Sequence, residues 1–221
     1  MMWMQQVNTE EFLRVVGPAL QRCGADELAR QVNQRWTPNQ LCQMLHDEAA
    51  DVRKVACVVL GLVGDARSLR CLTRALRDAD PHINQLAEHA LWSVWFRLGS
   101  SEAQKHFRRG LAAMENDQHA LAVSHFRQAQ LAGPTFASAY HQCAIAHYMI
   151  DEYEPAIECC RQAVELMPGH FAAYSTMGHC FAHLGQFAEA ADCYRRSLAI
   201  NPRMEGIATA LGRIERSLAK V

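Results

Sequence analysis

His179 and His183 stand four residues apart in a stretch of helical periodicity, so both rings project from one helix face. His141 occupies the corresponding stretch one period earlier, with Cys143 and Cys180 adjacent in sequence to that surface, and three imidazoles from neighbouring helices are a donor set that zinc accepts. No carboxylate is placed to orient those rings, so they are expected to be solvated or to face a partner; no metal ligand and no cofactor is assigned. The nine cysteines are an odd number without C-x-x-C spacing. Cys57, Cys71, Cys143, Cys159, Cys160, Cys180 and Cys193 fall at helical positions that take a small apolar residue, and are expected to be buried, inert thiols. Cys159 and Cys160 point in different directions on one helix and do not pair with each other. Arg67, Arg70, Arg74 and Arg77 share a face opposite Leu69, Leu72 and Leu76, which makes a basic strip. The sequence contains no G-x-S-x-G, no H-E-x-x-H and no phosphate-binding glycine loop, so no catalytic residue is assigned.

The elements that position these groups follow from composition and periodicity. Of 221 residues, 50% are hydrophobic and 20% charged, with only 12 Gly and 7 Pro, which is the balance of a packed helical protein. The 22 basic and 23 acidic side chains leave a net charge of -1, which excludes a global field that recruits nucleic acid or an anionic membrane. The start, Met1-Met2-Trp3-Met4-Gln5-Gln6, lacks the pattern of an export signal, and there is no run of 18 apolar residues. With the odd cysteine count, this gives the expectation of a cytoplasmic protein without a membrane segment.

Two internal periods organise the chain. A shift of 31 residues aligns Leu41 with Leu72, Leu45 with Leu76, Asp47 with Asp78, Val52 with Ile83, Ala56 with Ala87 and Leu60 with Leu91. Further on, a shift of 34 aligns Pro134, Pro168 and Pro202; Ala122, Ala156 and Ala190; Phe126, Cys160 and Tyr194; and Gly110, Ala144 and Gly178. Each period reads as two amphipathic helices. Thr37 caps a helix with Pro38 in its first turn, a second helix starts near Asp51 and stops at Gly64, and Asp80 with Pro81 opens a long helix ending near Leu98. Helices at about 9 to 23 and 25 to 35 precede them, and a last helix from about Glu205 to Ala219 shields the far end. The boundaries expected are 1–36 for N-terminal capping helices, 37–99 and 103–204 for the two arrays, and 205–221 for the C-terminal cap. The joint near Gly99-Ser100-Ser101 is short, so the two arrays are expected to pack as one rod, with Trp92, Trp95 and Phe96 filling between them.

The Asp51-Val52-Arg53-Lys54-Val55-Ala56 run, with the aligned leucines, resembles HEAT repeats of the short bacterial type. The second copy has Pro81-His82-Ile83-Asn84 in that place and so loses the basic residue of the motif. HEAT-like iron hydroxylases hold metal with His-Glu pairs; here only His46-Asp47 and the reversed Glu88-His89 are similar, and the resemblance stops there. Residues 103–204 resemble three tetratricopeptide repeats. The third copy shows Tyr174, Met177, Gly178, Phe181, Ala190, Tyr194 and Pro202, with Ser197 where the family prefers Ala. In the second, His147 and Cys160 replace rings; in the first, His106 and Arg109 stand at apolar positions, which predicts an irregular first helix. These resemblances imply an all-α fold, an alpha-solenoid in which antiparallel helix pairs form a right-handed superhelix.

In tetratricopeptide stacks the first helix of each repeat lines the concave surface. Carried over by register, the resemblance implies a partner-binding groove of Phe107, Leu111, Met114, His141, Ile145, Tyr148, Met149, Ser175, His179 and His183. The Lys and Asn that clamp the C-terminal carboxylates of heat-shock chaperones in some relatives are missing from the matching positions. The function expected is a non-enzymatic scaffold or adaptor that takes a peptide or helix of a protein partner. The competing occupant is the chain's own last helix or a second copy, by self-association. The alternative function is a nucleic-acid-associated HEAT-type protein using Arg67, Arg70, Arg74 and Arg77, although near-neutral charge makes nucleic acid the less expected partner.

Overall fold

A computed structural model of the chain describes residues 8–219; Met1–Gln6, where an export pattern was sought, lie outside the described residues. The described residues form thirteen α-helices and one short 3-10 turn, with no strand among them. The fold is all-α, and consecutive helices pack as hairpins. Contacts divide the chain after Leu98 into two compact halves.

The N-terminal half begins with α1 (Thr9–Arg22) and α2 (Ala25–Arg35), whose Phe12, Val16, Leu28 and Val32 are buried. The first helix pair is α3 (Pro38–Met44) and α4 (Ala50–Val63). Thr37 and Gln40 close a reciprocal capping box at the start of α3. The second pair is the 3-10 turn Ala66–Ser68 with α5 (Leu69–Ala75), followed by α6 (Pro81–Arg97).

Two side chains 31 residues apart do the same work in these pairs. Arg53 donates from Nη1 to the carbonyls of Asp47 and Glu48, both at 2.9 Å, and grips the Asp78 carboxylate through Nε and Nη2 at 2.9 and 3.0 Å. Asn84 stands at the equivalent position of the second pair, and its Nδ2 donates to Asp78 O at 3.0 Å and Ala75 O at 3.1 Å. The basic residue missing from the second copy is therefore replaced by a buried amide that ties the same turn. Arg97 closes the other end, donating to Gly61 O and Gly64 O.

The C-terminal half contains α7 (Ser101–Glu115), α8 (His119–Ala132), α9 (Ala137–Tyr148), α10 (Tyr153–Leu166), α11 (Phe171–His183), α12 (Phe187–Ile200) and α13 (Glu205–Leu218). The irregularity expected for α7 is absent: it is one continuous helix capped by Ser100 Oγ on the Ala103 amide. Ala103, Phe107, Gly110 and Ala113 supply its buried stripe, so Arg109 stays exposed and His106 half-exposed without interrupting it. Ser197 donates to Phe171 O at 2.9 Å, which accounts for a hydroxyl where the family prefers a methyl.

The three hairpins of this half turn alike. Asp117, Asp151 and Gly185, 34 residues apart, take left-handed conformations with φ of 57°, 59° and 73°. Each lets the next amide bond a carbonyl five residues back: Gln118 to Ala113, Glu152 to His147 and Gln186 to Phe181, at 2.9 to 3.0 Å. The helices of a hairpin approach through a small residue set against a matched side chain. A Cβ added at Gly110 would meet Phe126 Cε1 at 2.5 Å, and one added at Gly178 would meet Tyr194 Cε1 at 2.5 Å. Where the first helix carries Ala144 instead, the opposite position holds the smaller Cys160. The last helix, α13, packs on α12 through Ile207 and Ile214, with Arg195 and Glu215 paired at 2.7 Å.

Gly178→Ala is expected to destabilise the protein by about 1–3 kcal/mol through overpacking. The cost should shrink in a Tyr194→Cys background, as a denaturant-midpoint double-mutant cycle would read; equal costs in both backgrounds would show that the ring is not what the glycine accommodates.

Candidate functional site

Helices α7, α9 and α11, with Met149 at the C-cap of α9, carry the ten residues of the expected groove, and the structure separates them. Leu111, Met114, Ile145, Tyr148 and His179 are half-exposed, His183 is exposed, and Met149 is 51% exposed. Phe107, His141 and Ser175 are not surface residues. Phe107 is 1% exposed and packs on Phe126 and Phe136 at ring distances of 5.7 and 4.9 Å. His141 is equally buried, and its Nε2 lies 3.1 Å from Thr176 Oγ1. Ser175 donates to Ala172 O at 2.9 Å. Phe107 and His141 join neighbouring helices, Ser175 bonds back within α11, and all three are buried, so the row accessible to a partner shortens to seven. The cause is the packing around α9, which contacts α7, α8, α10 and α11 and is enclosed along most of its length.

The accessible part of the row ends in an aromatic cluster. Tyr148 and His183 share a hydrogen bond at 2.9 Å, and the His183 ring stacks on Tyr153 with centroids 4.7 Å apart. His179 is held instead by the Tyr194 hydroxyl, 2.8 Å from Nδ1. The three histidines that spacing brought into one candidate set are thus each engaged by a different hydroxyl. Among the described residues, the group able to surround an ion is Cys143, His147 and Cys159, with one donor atom from each within 4.8 Å of the others.

That cluster has a defined electrostatic arrangement. Cys143 and His147 lie one turn apart on α9, and Cys159 faces them from α10. The His147 Nδ1–H donates to the Glu152 carboxylate at 2.5 Å, which turns Nε2 inward, where it is buried. The Cys143 thiol is pulled down by a hydrogen bond from Cys159 and, against its burial, by His147. Cys159 is pushed up correspondingly, and His147 is raised by Cys143 and then by Glu152.

In the N-terminal half, Arg67, Arg70, Arg74 and Arg77 are exposed. They do not share one uninterrupted helix, because a 3-10 turn carries Arg67 and α5 ends at Ala75. Arg67 grips Asp65 at 2.7 and 3.0 Å. The neighbouring cations Arg53 and Lys54 are engaged by Asp78 and Asp80. Cys71 is not the inert thiol expected from its position: it is joined to Cys42 by a disulfide between α3 and α5, with Cα atoms 5.7 Å apart. Of the other cysteines in that expectation, Cys57, Cys143, Cys160, Cys180 and Cys193 are buried free thiols, while Cys159 is half-exposed.

Comparison with known proteins places this architecture. The family model for HEAT repeats matches residues 38–123, and that for the tetratricopeptide repeat matches residues 171–204. The chain carries HEAT repeats and tetratricopeptide repeats. The match to HEAT repeats continues past Leu98 into α7 and α8, while the match to the tetratricopeptide repeat covers α11 and α12. Among curated relatives, small glutamine-rich tetratricopeptide repeat-containing protein 2 of Saccharomyces cerevisiae is 32% identical over 92 residues, 42% of this chain and 27% of that protein. The Hsp70-Hsp90 organizing protein of Triticum aestivum is 30% identical over 111 residues, 50% of this chain and 19% of that protein. The chain thus spans under a third of either relative. A solved tetratricopeptide domain, the first of Spaghetti (RPAP3) bound to the HSP90 peptide SRMEEVD, superposes with a TM-score of 0.53 at 23% identity. It covers 54% of this chain and 95% of its own length, and the likeness is one of fold.

Sequence reasoning missed two features of these repeats. The Cys-His-Cys cluster had a visible signal in the four-residue spacing of Cys143 and His147, but Cys159 joins them only once α10 is folded against α9. A hollow of about 780 Å³ between α10, α11 and α12, floored by Tyr174, Met177 and Phe181, had none.

The buried histidines make stability depend on pH. Burial lowers the pKa of His141 to about 4 and holds His170, whose ring is 4.6 Å away, well below its usual value. The unfolded rings take a proton near pH 6.5, so acidification from about 6.5 toward 4 favours the unfolded chain. His147 acts in the opposite sense, contributing stability below about pH 6.5 that is lost as pH rises through its raised pKa. Burial also lowers the pKa of His179, so with three rings against one the melting temperature is expected to be about 4 °C or more lower at pH 5 than at pH 7.5. The decrease should be smaller in His141→Gln, and an unchanged pH profile in that variant would remove the assignment.

Proposed function

We propose that the tetratricopeptide half is a non-enzymatic docking platform that receives an apolar or amphipathic peptide or helix of a protein partner. The observation that carries this reading is the accessible row of Leu111, Met114, Ile145, Tyr148, Met149, His179 and His183 along α7, α9 with its C-cap, and α11. A largely apolar row with two adaptable methionines gains most by burial against a partner that brings its own apolar face. The fold likeness to a domain that holds a peptide supports the reading. The Spaghetti domain's peptide, SRMEEVD, is acidic, whereas the row here contains no lysine or arginine to meet acidic groups, so the occupant proposed is apolar in character. The organising and small glutamine-rich relatives support an adaptor role.

The test is quantitative cross-linking of the full chain in source lysate. Met149→Glu is expected to reduce the captured partner about tenfold or more, the effect of a charge placed in a desolvated contact. Leu131→Glu, altering a residue on α8 that is 73% exposed, should leave capture unchanged. Equal recovery with Met149→Glu would place the interaction elsewhere.

A cytoplasmic location belongs to the same proposal, supported by seven free cysteines. No helix among the described residues is long and apolar enough to cross a membrane. The Cys42–Cys71 pair tests the location: rapid alkylation of intact cells followed by mass spectrometry should find both as thiols in a reducing compartment, and a quantitative bridge would place the protein in an oxidising one.

A further inference from the structure

We propose that Cys143, His147 and Cys159 form a binding site for one zinc ion that staples α9 to α10. Two sulfur donors and one imidazole are a set that zinc favours, and their mutual separations of no more than 4.8 Å already approach the roughly 3.5–3.8 Å between donors in a tetrahedral thiolate-imidazole site. Small rotations of the side chains close the difference.

Three further features of the hairpin fit an ion at this place. The Glu152 carboxylate fixes the His147 ring through Nδ1, which leaves Nε2 as the donor and is the partner that zinc-bound histidines characteristically have. Glu152 is itself positioned by the left-handed turn at Asp151, which brings its amide to His147 O at 3.0 Å. His147 Nε2 is buried against the Cys143 thiol, a weak hydrogen-bonding partner that coordination replaces. Charge also balances: Zn²⁺ with two thiolates and a neutral imidazole is net neutral, so the ion can sit between packed helices without an uncompensated charge. Binding releases the two thiol protons to solvent and changes no oxidation state. A water takes the fourth position.

The site shares no residue with the His179 and His183 pair that sequence spacing singled out, nor with the accessible row proposed to hold a partner. Its test does not depend on that proposal. The reduced full chain is titrated with Co²⁺, a spectroscopic stand-in for Zn²⁺. One equivalent is expected to bring thiolate-to-cobalt charge-transfer absorption and tetrahedral d–d bands, both abolished by added Zn²⁺. Cys159→Ser should weaken binding tenfold or more, and Glu152→Gln by about 10- to 100-fold. Cys180→Ser and His183→Ala should leave the titration unchanged. Absence of the bands at one equivalent, or an affinity that Cys159→Ser leaves unchanged, would overturn the site. A second measurement needs no variant: Zn²⁺ should protect Cys143 and Cys159 of the wild-type chain from alkylation, and equal labelling with and without zinc would likewise reject it.

Discussion

The contact on which the C-terminal half depends is the close approach of the two helices in each hairpin. Gly110 against Phe126, Ala144 against Cys160 and Gly178 against Tyr194 show one rule applied three times, a smaller residue on one helix wherever the other carries a larger one. Ring edges come so near the backbone at Gly110 and Gly178 that a methyl group has no room. Such packing fixes the separation of helices, and hence the spacing at which α7, α9 and α11 present their side chains. The row proposed to meet a partner is therefore a consequence of residues that never reach the surface.

The N-terminal half solves a different problem with polar groups. A short helix turning into a longer one leaves carbonyls exposed at the turn, and in both pairs a side chain from the following helix satisfies them. Arg53 does so while also holding Asp78, whereas Asn84 does so alone from within the core. The same backbone need is met by a charged, half-exposed group in one copy and by a neutral, buried one in the next. This explains how a motif can lose its basic residue without losing the turn.

How much of this was legible in the sequence follows from which interactions are local. Helix limits could be read because Thr37, Asp80 and Pro81 act on their own neighbours, and the periods because Leu41 and Leu72 or Ala122 and Ala156 repeat a burial pattern. The structure departs where a residue's environment is set by other helices. Phe107, His141 and Ser175 occupy groove positions by register, yet three-dimensional enclosure removes them from the surface. Cys42 and Cys71 are 29 residues apart, and only the packing of α3 beside α5 makes them a pair. The cluster of Cys143, His147 and Cys159 was hidden for the same reason, and the histidines chosen by spacing proved to be committed to Thr176, Tyr194 and Tyr148.

The left-handed residues Asp117, Asp151 and Gly185 close their hairpins with the same main-chain bond each time, so the reversal of direction places little demand on the identity of nearby side chains. A block of 34 codons duplicated in register would encode another bend of the same shape, ready to stack without redesign of its neighbours. Lineages of such chains can lengthen by copying and then diverge at the bends. The middle copy is the one that has used this licence inward, sending Glu152 back to His147 and tying its bend to the interior.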